Sequence, residues 1–264
     1  MLLSNRVAIV TGAAGGIGGG IATRFAQEGC DVAVVDLNLD GANKKAEELK
    51  KLGRDSFAVQ ADITKSAQVE AMVKKVIEKF GKIDILINTA GTLFDVAMPG
   101  TASIADIPED HWDRLLDINL KGCFLVNKYV VPYMKEKKYG KIVNFSSLGA
   151  IFPPAVCPHY NAAKAGIMGM TLDMAAELGP FNITVNSILP GCIVTTFYDK
   201  INKSLTKEQA DARFANMIDG APLGRTGTPD DIAGPVLFLA SEMSSYVTGV
   251  NLSVTGGQPL RSHV

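Results

Sequence analysis

Short β-branched runs recur along the whole chain, separated by longer amphipathic stretches, and few folds accommodate such a rhythm. The runs are Val7 to Val10, Val32 to Val35, Phe57 to Val59, Ile83 to Ile87, Ile142 to Phe145, Ile183 to Ile188 and Val250 to Val254. Their alternation with helix-compatible segments predicts a parallel sheet with helical crossovers. Gly29, Gly53, Gly81, Gly140 and Gly179 each stand a few residues before the next run, where a helix needs a residue tolerant of positive φ to stop. No linker, low-complexity tract or charge block divides the chain, and 264 residues with 47% hydrophobic content suffice for a full core. The expected fold is α/β: a single doubly wound, Rossmann-type domain over 1–264, with a parallel sheet of about seven strands.

Directly after the first run comes Thr11-Gly12-Ala13-Ala14-Gly15-Gly16-Ile17-Gly18, followed by helix-compatible Ile21 to Ala26. Glycines here let backbone N–H groups and a helix N-terminus approach a pyrophosphate that any Cβ would hold away. The spacing Gly12, Gly16, Gly18 is G-x-x-x-G-x-G, which departs from the commoner G-x-G-x-x-G dinucleotide fingerprint. Asp36 ends the second run, where a carboxylate accepts hydrogen bonds from an adenosine ribose and repels a 2′-phosphate. Ala13, Ala14 and Leu37 supply no basic residue nearby, so NAD is expected in preference to NADP.

Tyr160 and Lys164 are four residues apart and share a face if their segment is helical. Spacing alone is weak, because Tyr133 and Lys137 have it too, beside Lys135, Glu136 and Lys138 in what reads as a solvated helix end. Context separates the pairs. Tyr160 follows Ser147, which lies at the carboxyl end of the run Ile142 to Phe145, and open α/β sheets bind ligands outside the carboxyl ends of their strands. Ser147 and the Gly12 to Gly18 turn are therefore expected to face one crevice.

With these motifs in order, the chain resembles the short-chain dehydrogenase/reductase family from Val7 through Gly257. The resemblance implies a catalytic set of Asn119, Ser147, Tyr160 and Lys164. It also implies cofactor contacts from Gly12, Gly16, Ile17, Gly18, Asp36, Asp62, Ile63, Asn88, Ala90, Gly91, Tyr160, Lys164, Pro190, Gly191, Ile193 and Thr195. Asp62 would lie toward the adenine, and Pro190, Gly191, Ile193 and Thr195 toward the nicotinamide. Pro222-Leu223-Gly224-Arg225 and Phe238-Leu239-Ala240-Ser241 match as well. Two departures stand out: Thr89 occupies a position where the family often has a second asparagine, and Thr255-Gly256-Gly257 lacks a frequent acidic residue. The segment Thr92 to His111, with Pro99, Gly100 and Pro108, is longer than usual and bears on the substrate mouth.

The implied activity is NAD-dependent interconversion of a secondary alcohol and a ketone, with Tyr160 as acid/base. A free tyrosine ionises near pH 10, so base action near neutrality requires about 3 to 4 kcal/mol. An ammonium about 4 Å away contributes on the order of 4 kcal/mol at an effective dielectric near 20, so Lys164 is expected to lower the phenol's proton affinity. The resemblance further assigns Lys164 to the nicotinamide ribose and Asn119 to a water-linked proton route. Two alternatives compete: a catalytically silent NAD-binding regulatory protein, and a sugar-nucleotide epimerase or dehydratase, for which 264 residues are expected to be short of a substrate domain.

Composition narrows the partners. With 26 Lys+Arg against 27 Asp+Glu, no net charge draws nucleic acid or an anionic membrane, so a small-molecule alcohol or ketone is the expected partner. Cys30, Cys123, Cys157 and Cys192 are widely separated, as in a reducing cytoplasm, and no signal-peptide core or membrane span is read. His111, His159 and His263 have no metal-ligand spacing, so no metal is expected, and Cys157 and Cys192 read as packing residues. Leu148, Ile151, Phe152, Pro153, Pro154, Phe197 and Tyr198 suggest a partly apolar pocket for a cyclic or acyl-chain alcohol, within a substrate loop at about 192–220. Lys200, Asn202, Lys203 and Ser204 keep a polyol or sugar in view. A homo-oligomer, with a tetramer favoured, is expected through helices around Asp113 to Tyr133 and Tyr160 to Leu178.

Overall fold

The computed structural model describes residues 1–93, 104–153, 157–195 and 206–260. Seven strands form one parallel sheet: β1 (Val7–Thr11), β2 (Asp31–Asp36), β3 (Ser56–Gln60), β4 (Ile85–Asn88), β5 (Gly140–Phe145), β6 (Ile183–Pro190) and β7 (Asn251–Val254). Each of the runs read from the sequence is one of these strands, displaced at its ends by no more than two residues. The helices are α1 (Gly16–Gln27), α2 (Leu39–Lys51), α3 (Ser66–Phe80), α4 (Glu109–Leu116), α5 (Gly122–Lys137), α6 (Pro158–Leu178), α7 (Lys207–Asp219) and α8 (Pro229–Ala240).

The strand period of two sorts the central residues between two core layers. Ala8 and Val10 of β1 pack with Phe25 of α1, Leu49 of α2 and Val236 of α8, while Val7 and Ile9 pack with Val73 of α3, Val130 of α5 and Leu178 of α6. Every residue of β1 is buried, as both-sided coverage of a parallel strand requires. The order β3-β2-β1-β4-β5-β6-β7 puts β1 beside β4. From β1 the chain leaves toward β2 and from β4 toward β5, so the topology reverses between them and a crevice opens at their carboxyl ends.

Three of the five expected glycine stops have positive φ, Gly29, Gly53 and Gly81; two do not. After α5 it is Lys138, and after α6 Asn182, that takes the left-handed conformation. Gly140 instead begins β5, where a Cβ would come within 2.5 Å of the Met134 sulfur, and Gly179 stays helical. Gly140 thus answers to close packing, and asparagine tolerates the left-handed region that Gly179 was expected to supply.

Candidate active site

The crevice is a cleft of about 1890 Å³ along the carboxyl edge of the sheet. It is lined at one end by Gly12, Gly15 to Gly18, Asp36, Asp62 and Ile63, and at the other by Ser147, Tyr160, Lys164, Pro190, Gly191, Ile193 and Thr195. Ala90, Gly91 and Asn119 lie along it as well.

The Gly-rich turn is shaped by contacts that side chains would block. Gly12 has φ +66 and a Cβ there would lie 2.9 Å from the Ala90 Cα; one on Gly18 would lie 2.4 Å from the Gly12 carbonyl oxygen. On the cleft side, a Cβ at Gly15 would meet nothing within 4 Å and one at Gly16 only Thr195, 3.8 Å away. No side chain caps the N-terminus of α1 at Gly15. An open, backbone-lined helix N-terminus of this kind fits a pyrophosphate. The Asp36 carboxylate accepts the Ala14 N–H at 3.0 Å and the Asn38 N–H at 2.9 Å, so it faces the turn it helps to hold. Beyond it Leu37 is exposed, and Lys45, which passes Gly19, is paired to Glu48. Asp62 accepts both the N–H and the hydroxyl of Thr64.

At the other end, α6 delivers Tyr160 and Lys164 on one face, beneath the carboxyl end of β5. The Lys164 ammonium donates to the Phe145 carbonyl at 2.9 Å and lies 5.6 Å from the Tyr160 ring centroid. Burial pulls the Lys164 proton affinity down to about 8. The Tyr160 phenol goes the other way: burial pushes it above its ordinary value, and a hydrogen bond with Ser147 lowers it only in part. This corrects the expectation that Lys164 depresses the phenol. Burial disfavours phenolate and ammonium alike.

Asn119 stands in a π-helical turn, Asp117–Lys121, between α4 and α5. Its amide donates to the Thr92 and Leu115 carbonyls at 2.9 and 3.1 Å and accepts the Thr92 N–H at 3.2 Å. Gly91 sits between Asn119 and Lys164; a Cβ there would lie 2.6 Å from the Asn119 amide oxygen and 3.3 Å from the Lys164 nitrogen. Asn88 differs from the other expected cofactor residues. Its side chain is buried in the sheet and donates to Asn144 at 2.9 Å, and it does not line the cleft. Thr89 turns its hydroxyl to the Thr11 carbonyl, and the Thr11 hydroxyl accepts the Ala90 N–H, so β1 and β4 are cross-linked beside the turn.

Residues the sequence did not single out also matter. Ser146 and the Phe145 carbonyl both contact Lys164. The serine doublet is visible in the sequence, whereas a backbone carbonyl leaves no residue signature. Pro99, Gly100, Pro154, Phe197, Tyr198, Lys200, Asn202, Lys203, Ser204 and His263 lie outside the described residues. Among the described residues no three His, Cys, Asp or Glu side chains converge on a metal position, and no helix is long and apolar enough to cross a membrane.

Comparison with known proteins places this geometry. The family model described as Enoyl-(Acyl carrier protein) reductase matches residues 12–258. The chain belongs to the short-chain dehydrogenase/reductase family. It is 40% identical to the 3-oxoacyl-(acyl-carrier-protein) reductase FabG of Thermotoga maritima, over 97% of this chain and 99% of that one. It is 39% identical to (2S)-[(R)-hydroxy(phenyl)methyl]succinyl-CoA dehydrogenase subunit BbsD of Thauera aromatica, over 98% and 99%. A crystal structure of levodione reductase superposes with a TM-score of 0.91 at 32% identity, covering 98% of this chain and all of that one. A 7α-hydroxysteroid dehydrogenase complexed with NADH and 7-oxo glycochenodeoxycholic acid gives 0.87 at 36% identity, covering 97% and 94%. As a short-chain dehydrogenase/reductase, the protein is an oxidoreductase of ketones and alcohols that works with a nicotinamide cofactor.

Proposed function

We propose that this oxidoreductase is NAD-dependent and interconverts a secondary alcohol and a ketone, with Tyr160 exchanging the proton. The observation that carries the reading is that Ser147, Tyr160 and Lys164 share one cleft with the Gly12 to Gly18 turn and Asp36. Bound nicotinamide would supply the hydride chemistry. The Gly-rich turn with Ile17 would receive the pyrophosphate, Asp36 the adenosine ribose, and Asp62 and Ile63 the adenine. Ala90, Gly91, Pro190, Gly191, Ile193 and Thr195 would border the rest of the cofactor, and Asn88 would support that wall from within the sheet.

A phenol held above its ordinary proton affinity is protonated at neutral pH, the form that donates to the oxygen of a ketone undergoing reduction. Ser147 would hydrogen-bond the same oxygen. Alcohol oxidation needs the phenolate, so its rate is expected to rise with pH. Lys164 would hold the nicotinamide ribose as well as the tyrosine, and Asn119 would steady the Thr92 backbone beside a proton route to solvent.

Leu148 and Phe152 give the cleft an apolar wall beside Ser147, which favours a cyclic or acyl-chain alcohol over a polyol or sugar. The relatives named for 3-oxoacyl groups and for an oxo steroid agree with that order. One domain would serve cofactor and substrate, in a cytoplasmic homotetramer. The deciding experiment is a reduction screen with NAD and NADP over secondary, cyclic, hydroxyacyl-thioester and polyol alcohols. Activity confined to NADP, or absent throughout, would refute the proposal.

A further inference from the structure

Three consecutive residues at the carboxyl end of β5 each grip α6. The Asn144 amide donates to the Thr171 hydroxyl at 3.1 Å, and the Phe145 carbonyl accepts from the Lys164 ammonium at 2.9 Å. The Ser146 hydroxyl donates to the Lys164 backbone carbonyl at 2.8 Å, and Ser147 lines the cleft together with Tyr160. Ser146 is itself a fixed point: it is buried, and its N–H is bound to the Ile188 carbonyl on β6 at 2.9 Å.

The third contact is one that helix formation does not require. Lys164 lies in the interior of α6, so its carbonyl already accepts the amide four residues further on. The Ser146 hydroxyl occupies the second lone pair. Lys164 is thereby held at its backbone by Ser146 and at its side-chain tip by Phe145, the last residue of β5 and the one that follows it. Tyr160 is one helical turn earlier, so the same pin fixes the phenol relative to Ser147, the residue after Ser146.

We propose that Ser146 is a positioning residue whose hydroxyl, by anchoring the Lys164 carbonyl, sets the register of the Tyr160–Lys164 turn against Ser147. The proposal rests on the reading of Tyr160 as the proton-exchanging group. Without the anchor the turn drifts from the strand end and the phenol moves relative to Ser147. Loss of the hydroxyl leaves the Lys164 carbonyl with its helical partner, so the fold is retained.

The test compares Ser146→Ala and Ser146→Thr with the parent and with Tyr160→Phe. In isotope-labelled, cofactor-free protein at neutral pH, the tyrosine Cζ NMR resonance missing from Tyr160→Phe reports hydrogen bonding of the phenol. Ser146→Ala is expected to shift that resonance and to lower kcat by roughly tenfold, with the alcohol KM within about twofold of the parent. Ser146→Thr, which keeps the hydroxyl, is expected to restore both. An unmoved resonance with parental kcat in Ser146→Ala overturns the proposal even if the melting temperature falls, because the hydroxyl then only packs. An Ser146→Ala protein that no longer unfolds cooperatively overturns it too. Full turnover in Tyr160→Phe would sink the underlying reading instead, while the resonance would still report on Ser146.

Discussion

Neutralising Asp36 as Asp36→Asn is expected to relax the choice between NAD and NADP. A 2′-phosphate oxygen bearing one charge about 4 Å from the carboxylate is repelled by about 1 kcal/mol in bulk water and about 4 kcal/mol at an effective dielectric near 20. Asp36 is partly buried at the cleft edge and falls between those limits. At 1.36 kcal/mol per tenfold, the ratio of kcat/KM for NAD over NADP should drop by roughly ten- to a hundredfold, chiefly through a lower KM for NADP. Asparagine is the informative substitution because the Ala14 and Asn38 N–H groups bind different oxygens of Asp36, so asparagine keeps one of the two acceptors where alanine would strip both from the turn. Adding Leu37→Arg, at a position 66% exposed, should strengthen NADP binding further without disturbing the core. The assay is steady-state kinetics with each cofactor at saturating alcohol. A parent enzyme that already prefers NADP, or an unchanged ratio in Asp36→Asn, would refute the reasoning.

Gly18→Ala drives a Cβ to 2.4 Å from the Gly12 carbonyl oxygen and 2.6 Å from the Thr89 hydroxyl. Overpacking of about 1 to 3 kcal/mol should lower the melting temperature by several degrees, with weaker cofactor binding, and calorimetry with fluorescence titration will show whether it does. His159 is fully buried, stacks on Trp112, and is held below its ordinary 6.5 by burial and by His111. As pH falls below about 6.5 the unfolded chain takes up this proton before the folded one, so stability present above that pH is lost toward the lower folded-state value. His159→Phe should flatten that acid slope in urea unfolding midpoints, and an unchanged slope would exonerate His159. A homotetramer should scatter light at four times the 28.0 kDa chain mass, and a fully active 28.0 kDa species would exclude it.

Strand positions were legible in the sequence because a parallel strand buried on both faces tends to be an unbroken apolar run, as Val7 to Val10 and Val32 to Val35 are. Helix ends were read less well where residues other than glycine took the left-handed conformation, at Lys138 and Asn182. In the site, side chains with distinctive chemistry were found by type and spacing, and Ser147, Tyr160 and Lys164 do converge. What sequence could not reveal is orientation. Asn88 sits at the end of β4, and only the pleat decides that its amide turns toward Asn144 and away from the cleft. Proton affinity was misjudged for a related reason. Four-residue spacing gives proximity of Tyr160 and Lys164, but the direction of the phenol's shift depends on burial, which spacing does not reveal.

The most direct measurement is turnover by Tyr160→Phe at saturating cofactor and alcohol, paired with the dissociation constant for NADH. Only the exchangeable proton is removed, so kcat should fall by roughly a hundred- to ten-thousandfold while NADH affinity stays within about threefold of the parent. Turnover within a few-fold of the parent, with NADH still bound, would contradict the assignment of proton exchange to Tyr160.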